Sequence, residues 1–474
     1  DKGGSGTIQL NSLKAFPSAF GAGQVIDGGR GGKIYEVTNT NDSGAGSFRE
    51  AFTASGDRII IIKVEGRVDL RSMMNTSSAG NGNLTIWGQF APGRGLTISG
   101  KRFTMYNSTN IIVRHISAQN KVDPGLGSFG IRDLAPGGGV YLDHISARYG
   151  MDQVMDVVSR HPDNNVTAAY NLMAEAVEGH NTGSIFGDSG GGNDDTGNLT
   201  FARNMYYNIS HRFPNLSGRS MFVEHYNNYI VNWQQRLTAV NGGVTLDYFN
   251  NYAESGNHSK GSKAPVNKYQ YVSGENFSVF SDNNFIGDWD ETPNSDQQNI
   301  WAWRKGNSSA GVVENAQIFP KYFTKSRNNS FGEPADGIWN VMDVPAKVRA
   351  SVGHNRGINA DGSPGFFRDD KDASYISKAA SGATESTYRV LSQWDDSKFT
   401  GTAMYKDTDG DHMPDWFENQ HAHLDANSPD GDRKHVAWDF GNYTVDNNAG
   451  YSNLEMCAEF YAGGFETMLD GTND

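Results

Sequence analysis

The segment Ile111 to Ala118, Ile-Ile-Val-Arg-His-Ile-Ser-Ala, returns almost unchanged as Val140 to Ala147, 29 residues later. Related units begin at Val166, Leu199, Met221, Val244 and Phe277, at spacings of roughly 22 to 33 residues. Each is a short apolar run, and most close at or near an Asn. A period in this range marks a solenoid, in which every repeat buries its apolar face only by stacking on its neighbours. The units lack helical periodicity and are too short and β-rich for helical repeats. They predict an all-β right-handed parallel β-helix through about residues 59 to 290, with strands opening at Ile111, Val140, Val166, Leu199, Met221 and Val244. Asn suits coil corners because it tolerates a left-handed backbone. Stacked Asn amides can also hydrogen-bond in ladders.

Open solenoid ends expose sheet edges and need covers. Residues 1 to 55 are expected to cover one end, and residues 300 to 395 to wrap the barrel as irregular loops. Residues 396 to 474 differ in character, acidic first and helix-like around Asn453 to Tyr461. They are expected to form a small acidic extension after a main unit spanning residues 1 to 395.

Bulk properties narrow the function. At 474 residues the chain can bury a large core, and its 11 % aromatic content argues against disorder despite 57 Gly. A formal charge of −14 disfavours nucleic acid as a partner. A polyanionic substrate then needs bound metal or clustered Arg to reverse the sign locally. The single cysteine, Cys457, excludes an intrachain disulfide. No apolar run approaches the ~20 residues of a membrane span. No signal peptide is visible, and Asp1-Lys2-Gly3-Gly4 is compatible with a mature terminus after cleavage; a secreted protein, and a monomer, are expected.

Aligning the repeats places Arg114 and Asp143 at equivalent positions of successive coils, followed by Ala169 and Ala202. Adjacent strands lie about 4.8 Å apart, so Arg114 should neighbour Asp143 and the alanines should leave room. Asp152 and Asp156 follow on the next turn and strand. Three carboxylates with substrate oxygens and water suit Ca²⁺. Taken singly, each Asp is better read as a turn cap or an Arg partner. Further on, Arg212 stands alone before Phe213-Pro214.

Here the chain resembles the pectate lyase superfamily, polysaccharide lyase family 1 and its relatives, over roughly residues 15 to 375. The resemblance rests on Ala15-Phe16-Pro17, Gly44-Ala45-Gly46-Ser47-Phe48-Arg49, Leu84-Thr85-Ile86-Trp87-Gly88, Ala91-Pro92-Gly93 and Gly95-Leu96-Thr97-Ile98. Its most specific parts are Leu142-Asp143-His144-Ile145-Ser146, Asp152 with Asp156, His180-Asn181-Thr182-Gly183 and Arg212 with Pro214, with a later match at Phe367 to Asp372. It implies Ca²⁺-dependent β-elimination on an acidic, uronate-containing polysaccharide such as pectate. Asp143, Asp152 and Asp156 would match the calcium ligands and Arg212 the base. Family members often carry Lys where this chain has Thr182. The missing substrate cation could be replaced by Arg148, Arg160, Arg219 or Arg236, with help from His180 or His211.

Elimination removes a proton beside a uronate carboxylate, and that proton is acidic only when the carboxylate's charge is offset. The resulting enediolate-like species also needs nearby cations. A hydrolase or esterase with paired carboxylates, or a noncatalytic carbohydrate-binding β-helix, are the competing readings. Trp233, Trp301 and Trp303 could stack on sugar rings, with core roles at least as expected.

A second acidic cluster runs from Asp407 to Glu418. Asp407, Asp409, Asp411, Asp415 and Glu418 fall at positions 1, 3, 5, 9 and 12 of a twelve-residue EF-hand-type loop. His412 replaces the usual Gly at position 6. A structural Ca²⁺ is expected there.

Overall fold

The computed structural model describes residues 6–76, 79–120, 127–177, 179–188, 194–259, 266–271, 275–287, 300–305, 312–314, 322–388 and 397–470. Its centre is a parallel β-helix of about 8 turns. Each coil contributes one strand to each of three faces. The first face contains Ile111–Arg114, Gly139–Asp143, Asn165–Ala169 and Gly197–Ala202 in parallel order. The second runs through Ser117–Gln119, Ser146–Arg148, Leu172–Ala174 and Met205–Tyr207. The third runs through Phe103–Tyr106, Phe129–Arg132, Met155–Val158 and Ser184–Gly187. The long strands Asn215–Tyr226 and Ala239–Phe249 bend from the third face into the first and join the two into one sheet.

All six expected strand openings lie in strands. The register also follows the repeat alignment: Asp143 pairs with Arg114 on one side and Ala169 on the other, and Ala169 with Ala202. Inward positions fill one continuous core, from Ile60 and Ile86 through Leu142, Phe201 and Leu246 to Trp301 and Trp303. Trp233 lies in the same core. These three tryptophans are therefore core residues, unavailable for stacking on sugars.

Corners between the first and second faces use a two-residue device. The first residue is left-handed: Tyr170, Arg203, Asn227, Asn250 and Asn283 have φ between 50° and 60°. The second is Asn171, Asn204, Asn228, Asn251 or Asn284, and these form a ladder. Asn171 Nδ2 donates to Asn204 Oδ1 at 3.0 Å, Asn204 Nδ2 to Asn228 Oδ1 at 3.1 Å, Asn228 Nδ2 to Asn251 Oδ1 at 3.0 Å and Asn251 Nδ2 to Asn284 Oδ1 at 2.9 Å. Each of these amides also serves backbone groups that a buried corner would otherwise leave unpaired. Asn228 accepts from Asn204 N and donates to Phe201 O. Asn228→Ala is expected to cost about 1–3 kcal/mol for each buried group left without a partner. A denaturant midpoint unchanged from the parent would disprove the ladder's contribution.

The two ends of the described chain meet. Strand Thr7–Leu10 pairs in parallel with Thr444–Asn447. Ile8 and Leu10 share a core with Ile59, Ile61, Trp87, Phe90 and helix Asn453–Ala462. Capping box Ser452/Glu455 starts that helix, and left-handed Gly463 ends it. Helices Val344–Ser351 and Asp370–Ser381 wrap the first and second faces near Tyr170, Leu172 and Tyr207. This wrapping, together with Phe20 and Trp339, fills the space expected to stay open beside Ala169 and Ala202. Among the described residues no helix is long and apolar enough to cross a membrane.

Candidate functional site

One edge of the third face brings four of the expected residues together. Gln153 N donates to Thr182 Oγ1 at 2.9 Å, and Thr182 pairs with His211 through a parallel bridge. Gly183 N and Ser184 N then donate to His211 O and Arg212 O, both at 2.9 Å. Backbone pairing between three successive coils thus aligns Asp152, Thr182 and Arg212. Asp152 Oδ1 receives His180 Nδ1 at 2.9 Å, Arg212 Nη1 at 3.2 Å and Gln153 Nε2 at 2.8 Å. The side chains of His180 and Asp152 are 47 % and 40 % exposed, that of Arg212 18 %. The backbone of Arg212 is left-handed, at φ 70°, a conformation unusual for a non-glycine residue.

Burial lowers the pKa of two groups at this edge. Burial lowers the Arg212 pKa, and Asp152 partly opposes it. Burial, then Arg236, Arg212 and His180, lowers His211 to about 3. His211 is therefore neutral at physiological pH, and its buried Nδ1 has no hydrogen-bond partner.

The other expected residues are placed differently. Arg148 is buried on the second face, with Nη2 2.5 Å from Asp369 Oδ2 and Nη1 2.9 Å from Asp372 Oδ1. Gln119 Oε1 and Ser397 Oγ complete its shell. It clamps the Phe367 to Asp372 segment to the barrel and cannot reach a polymer outside. Arg219 is exposed and pairs with Asp195 at 3.0 Å. Arg236 lies close enough to His211 to depress its pKa. Arg160 pairs with Asp133 at 3.0 Å and lies 3.4 Å from Asp194.

Asp143, Asp152 and Asp156 are not gathered around one point. Asp143 ends a first-face strand, whereas Asp156 lies within the third face. Both Asp143 oxygens are occupied: Oδ2 by Arg114 Nε and Oδ1 by His144 Nδ1, each at 2.8 Å. Arg114 is held in turn by Glu459 Oε2 at 2.7 Å and covered by Phe16, 3.7 Å from its ring centre. Asp156 is fully buried, its Oδ1 2.5 Å from Arg102 Nη2 and its Oδ2 3.5 Å from Arg132 Nη1. Burial raises its pKa, with Asp152 and Asp133 adding to the rise and the two arginines opposing it. Asp143 is therefore not placed to share a calcium ion with Asp152 and Asp156, while the buried Asp156 Oδ2 has no hydrogen-bond partner. Glu459, Arg102 and Arg132 are the partners that the repeat alignment missed. Arg102 and Arg132 meet Asp156 from other coils and Glu459 meets Arg114 from the C-terminal helix, and no short motif signals such a meeting.

The C-terminal acidic loop does suit a hard cation. Asp407, Asp409 and Asp411 bring ligand oxygens within 4.8 Å of one another, and so do Asp411, Glu418 and Asp430. Both Glu418 oxygens and Asp409 Oδ2 are buried without hydrogen-bond partners. Burial and the surrounding aspartates push Glu418 up to about 8. Orphaned carboxylate oxygens at such a cost point to a missing cation. Asp430 joins the cluster, but Asp415 does not: its oxygens accept from Thr408 N and Oγ1, both at 2.6 Å. His412, at the position usually held by Gly, is left-handed at φ 79°, and its Nδ1 lies 2.9 Å from Glu36 Oε1.

No protein-family model matches the chain. A protein of Emericella nidulans named "Probable pectate lyase C" is 28 % identical over 452 residues, covering 94 % of this chain and 92 % of that one. A protein of the same name from Aspergillus terreus is 33 % identical over 224 residues, 47 % of this chain and 49 % of its own length. Among solved structures, a Bacillus subtilis pectate lyase superposes with a TM-score of 0.48 at 15 % identity, covering 73 % of this chain and 98 % of its own. The near full-length sequence match falls on a chain folded as a parallel β-helix, and over nearly its whole length the chain is similar to proteins named probable pectate lyase C.

Proposed function

We propose that the chain cleaves an acidic, uronate-containing polysaccharide, pectate above all, by β-elimination outside the cell. The observation that carries this reading is Arg212, a partly buried guanidinium with a lowered pKa, beside exposed Asp152 and His180 and neutral His211. Relatives along nearly the whole chain bear the name pectate lyase.

In this reading Arg212, as the neutral guanidine, takes the proton beside the uronate carboxylate, and the glycosidic oxygen on the β carbon leaves with the electron pair of its bond and is protonated by water. A carbon–carbon double bond remains at the new chain end. Asp152 orients the Arg212 guanidinium through its Nη1 contact. Burial lowers the Arg212 pKa and so makes its neutral guanidine form, the one with a lone pair to accept a proton, easier to reach than in water. His180, the most exposed of the group, can hydrogen-bond substrate hydroxyls or carboxylate. No step is assigned to a metal at Asp143, Asp152 and Asp156. Incubation with polygalacturonate tests the reading by the ultraviolet absorbance of the unsaturated product; a wholly saturated product would count against it.

We also propose a structural Ca²⁺ held by Asp407, Asp409, Asp411, Glu418 and Asp430. Lys63 Nζ lies 2.6 Å from Asp407 Oδ2 and 3.1 Å from Glu36 Oε1, which ties this loop to the start of the barrel. Calcium should raise the melting temperature by binding the native state alone, and Asp409→Asn should remove that gain. The effect should depend on pH. Glu418 ionises near 4.5 in the unfolded chain but near 8 in the fold. In chelator, stability should therefore fall as pH rises from about 4.5 to about 8. Calcium should help most at the upper end of that window. A calcium-independent melting temperature at pH 8 would refute the site.

A further inference from the structure

Asp156 faces a guanidinium where a bound cation would otherwise stand. Arg102 Nη2 is 2.5 Å from Asp156 Oδ1, and both side chains are buried. Gly130 lies in register with Asp156 on the preceding coil. A Cβ built at Gly130 would stand 2.1 Å from Arg102 Nη2 and 2.2 Å from Asp156 Oδ1. While this pair exists, no side chain can enter from position 130, and a further carboxylate is sterically shut out of the Asp156 site. Arg132 Nη1 completes the arrangement at 3.5 Å from Asp156 Oδ2, with 25 % of its side chain exposed. Among the described residues this ion pair is the only one Arg132 makes. Its planar fork carries five donors, so one 3.5 Å contact leaves most of them for a second carboxylate.

We propose that Arg102 and Arg132 take the place of a metal ion at Asp156, with Arg102 neutralising Asp156 and Arg132 gripping a substrate uronate carboxylate, so that cleavage needs no divalent cation. This rests on the lyase reading above. Arg102 offsets Asp156 and leaves the charge of Arg132, against which Asp152 and Asp133, both felt at Asp156, also count. That charge offsets the substrate carboxylate as the elimination chemistry requires.

Calcium stoichiometry, polymer cleavage and oligomer binding test this together. In isothermal titration, Asp152→Asn and Asp156→Asn should bind as many calcium ions per chain as the parent, because every ion sits in the C-terminal loop. Loss of one ion in either variant would overturn the proposal. The parent should release unsaturated product from polygalacturonate at the same rate with chelator as with calcium, at a temperature where circular dichroism shows it folded in both. Activity abolished by chelator in a folded chain and restored by calcium would also overturn it. If no uronate polymer is cleaved under either condition, the lyase reading falls, and the stoichiometry still decides what holds Asp156. In metal-free buffer, Arg132→Gln should weaken trigalacturonate binding at least about tenfold, the loss expected for one charge-assisted carboxylate contact. Unchanged affinity in a folded variant would remove Arg132 from the substrate site.

Discussion

Arg212→Ala is expected to lower turnover on the best polymer by about 10²–10⁴, the usual contribution of a positioned general base. Its melting temperature should stay near the parental value, because the side chain is partly exposed and makes one ion pair, to Asp152. Arg212→Lys should fail nearly as badly. A lysine ammonium cannot reproduce the planar fork that Asp152 orients. It would also be a different acid, with a different response to burial. Asp152→Asn should show a smaller loss, since it weakens the orientation of Arg212 without removing the base. Steady-state kinetics on folded variants checks all three. Near-parental turnover in Arg212→Ala would mean that another group takes the proton.

The largest effect on stability is expected from Arg148→Met. Arg148 is almost fully buried, and both Asp369 and Asp372 depend on it. Asp369 also caps helix Asp370–Ser381 by accepting from Lys371 N at 2.9 Å and Asp372 N at 2.8 Å. Removing the guanidinium leaves two buried carboxylates facing each other, a change that typically costs about 3–5 kcal/mol. The loss should be larger at pH 8 than at pH 5. Burial and the neighbouring Asp369 already push Asp372 up to about 7, so at lower pH it can shed its charge by taking a proton. Chemical denaturation at the two pH values measures the difference. Parental stability at pH 8 would show that Arg148 does not hold the wrapping segment to the barrel.

The barrel was legible because its signal is local and repeated. Each coil states its own apolar alternation, and the equivalence of Ile111 and Val140 fixes the register of every neighbour between them. That is why Arg114, Asp143, Ala169 and Ala202 could be lined up from the sequence, and they do form one ladder. What fills the space beside that ladder could not be read in the same way. Glu459 reaches Arg114 across 345 positions of sequence, and Asp372 reaches Arg148 across 224. Neither contact has a short-range signature. An Asp following a β unit looks the same whether it awaits calcium, like the loop at Asp407, or an arginine, like Asp143. Only the surrounding side chains separate the two cases. Both oxygens of Asp143 are satisfied, whereas both of Glu418 are not. The residues of the Arg212 edge are carried by motifs, and backbone pairing between coils brings those motifs side by side.

The central claim is that this edge eliminates rather than hydrolyses. Its most direct test is to digest polygalacturonate with the parent chain while following new reducing ends and ultraviolet absorbance in one sample. Elimination predicts one unsaturated, absorbing end for every bond cleaved. New reducing ends without absorbance would show hydrolysis and contradict the assignment of Arg212 as the base.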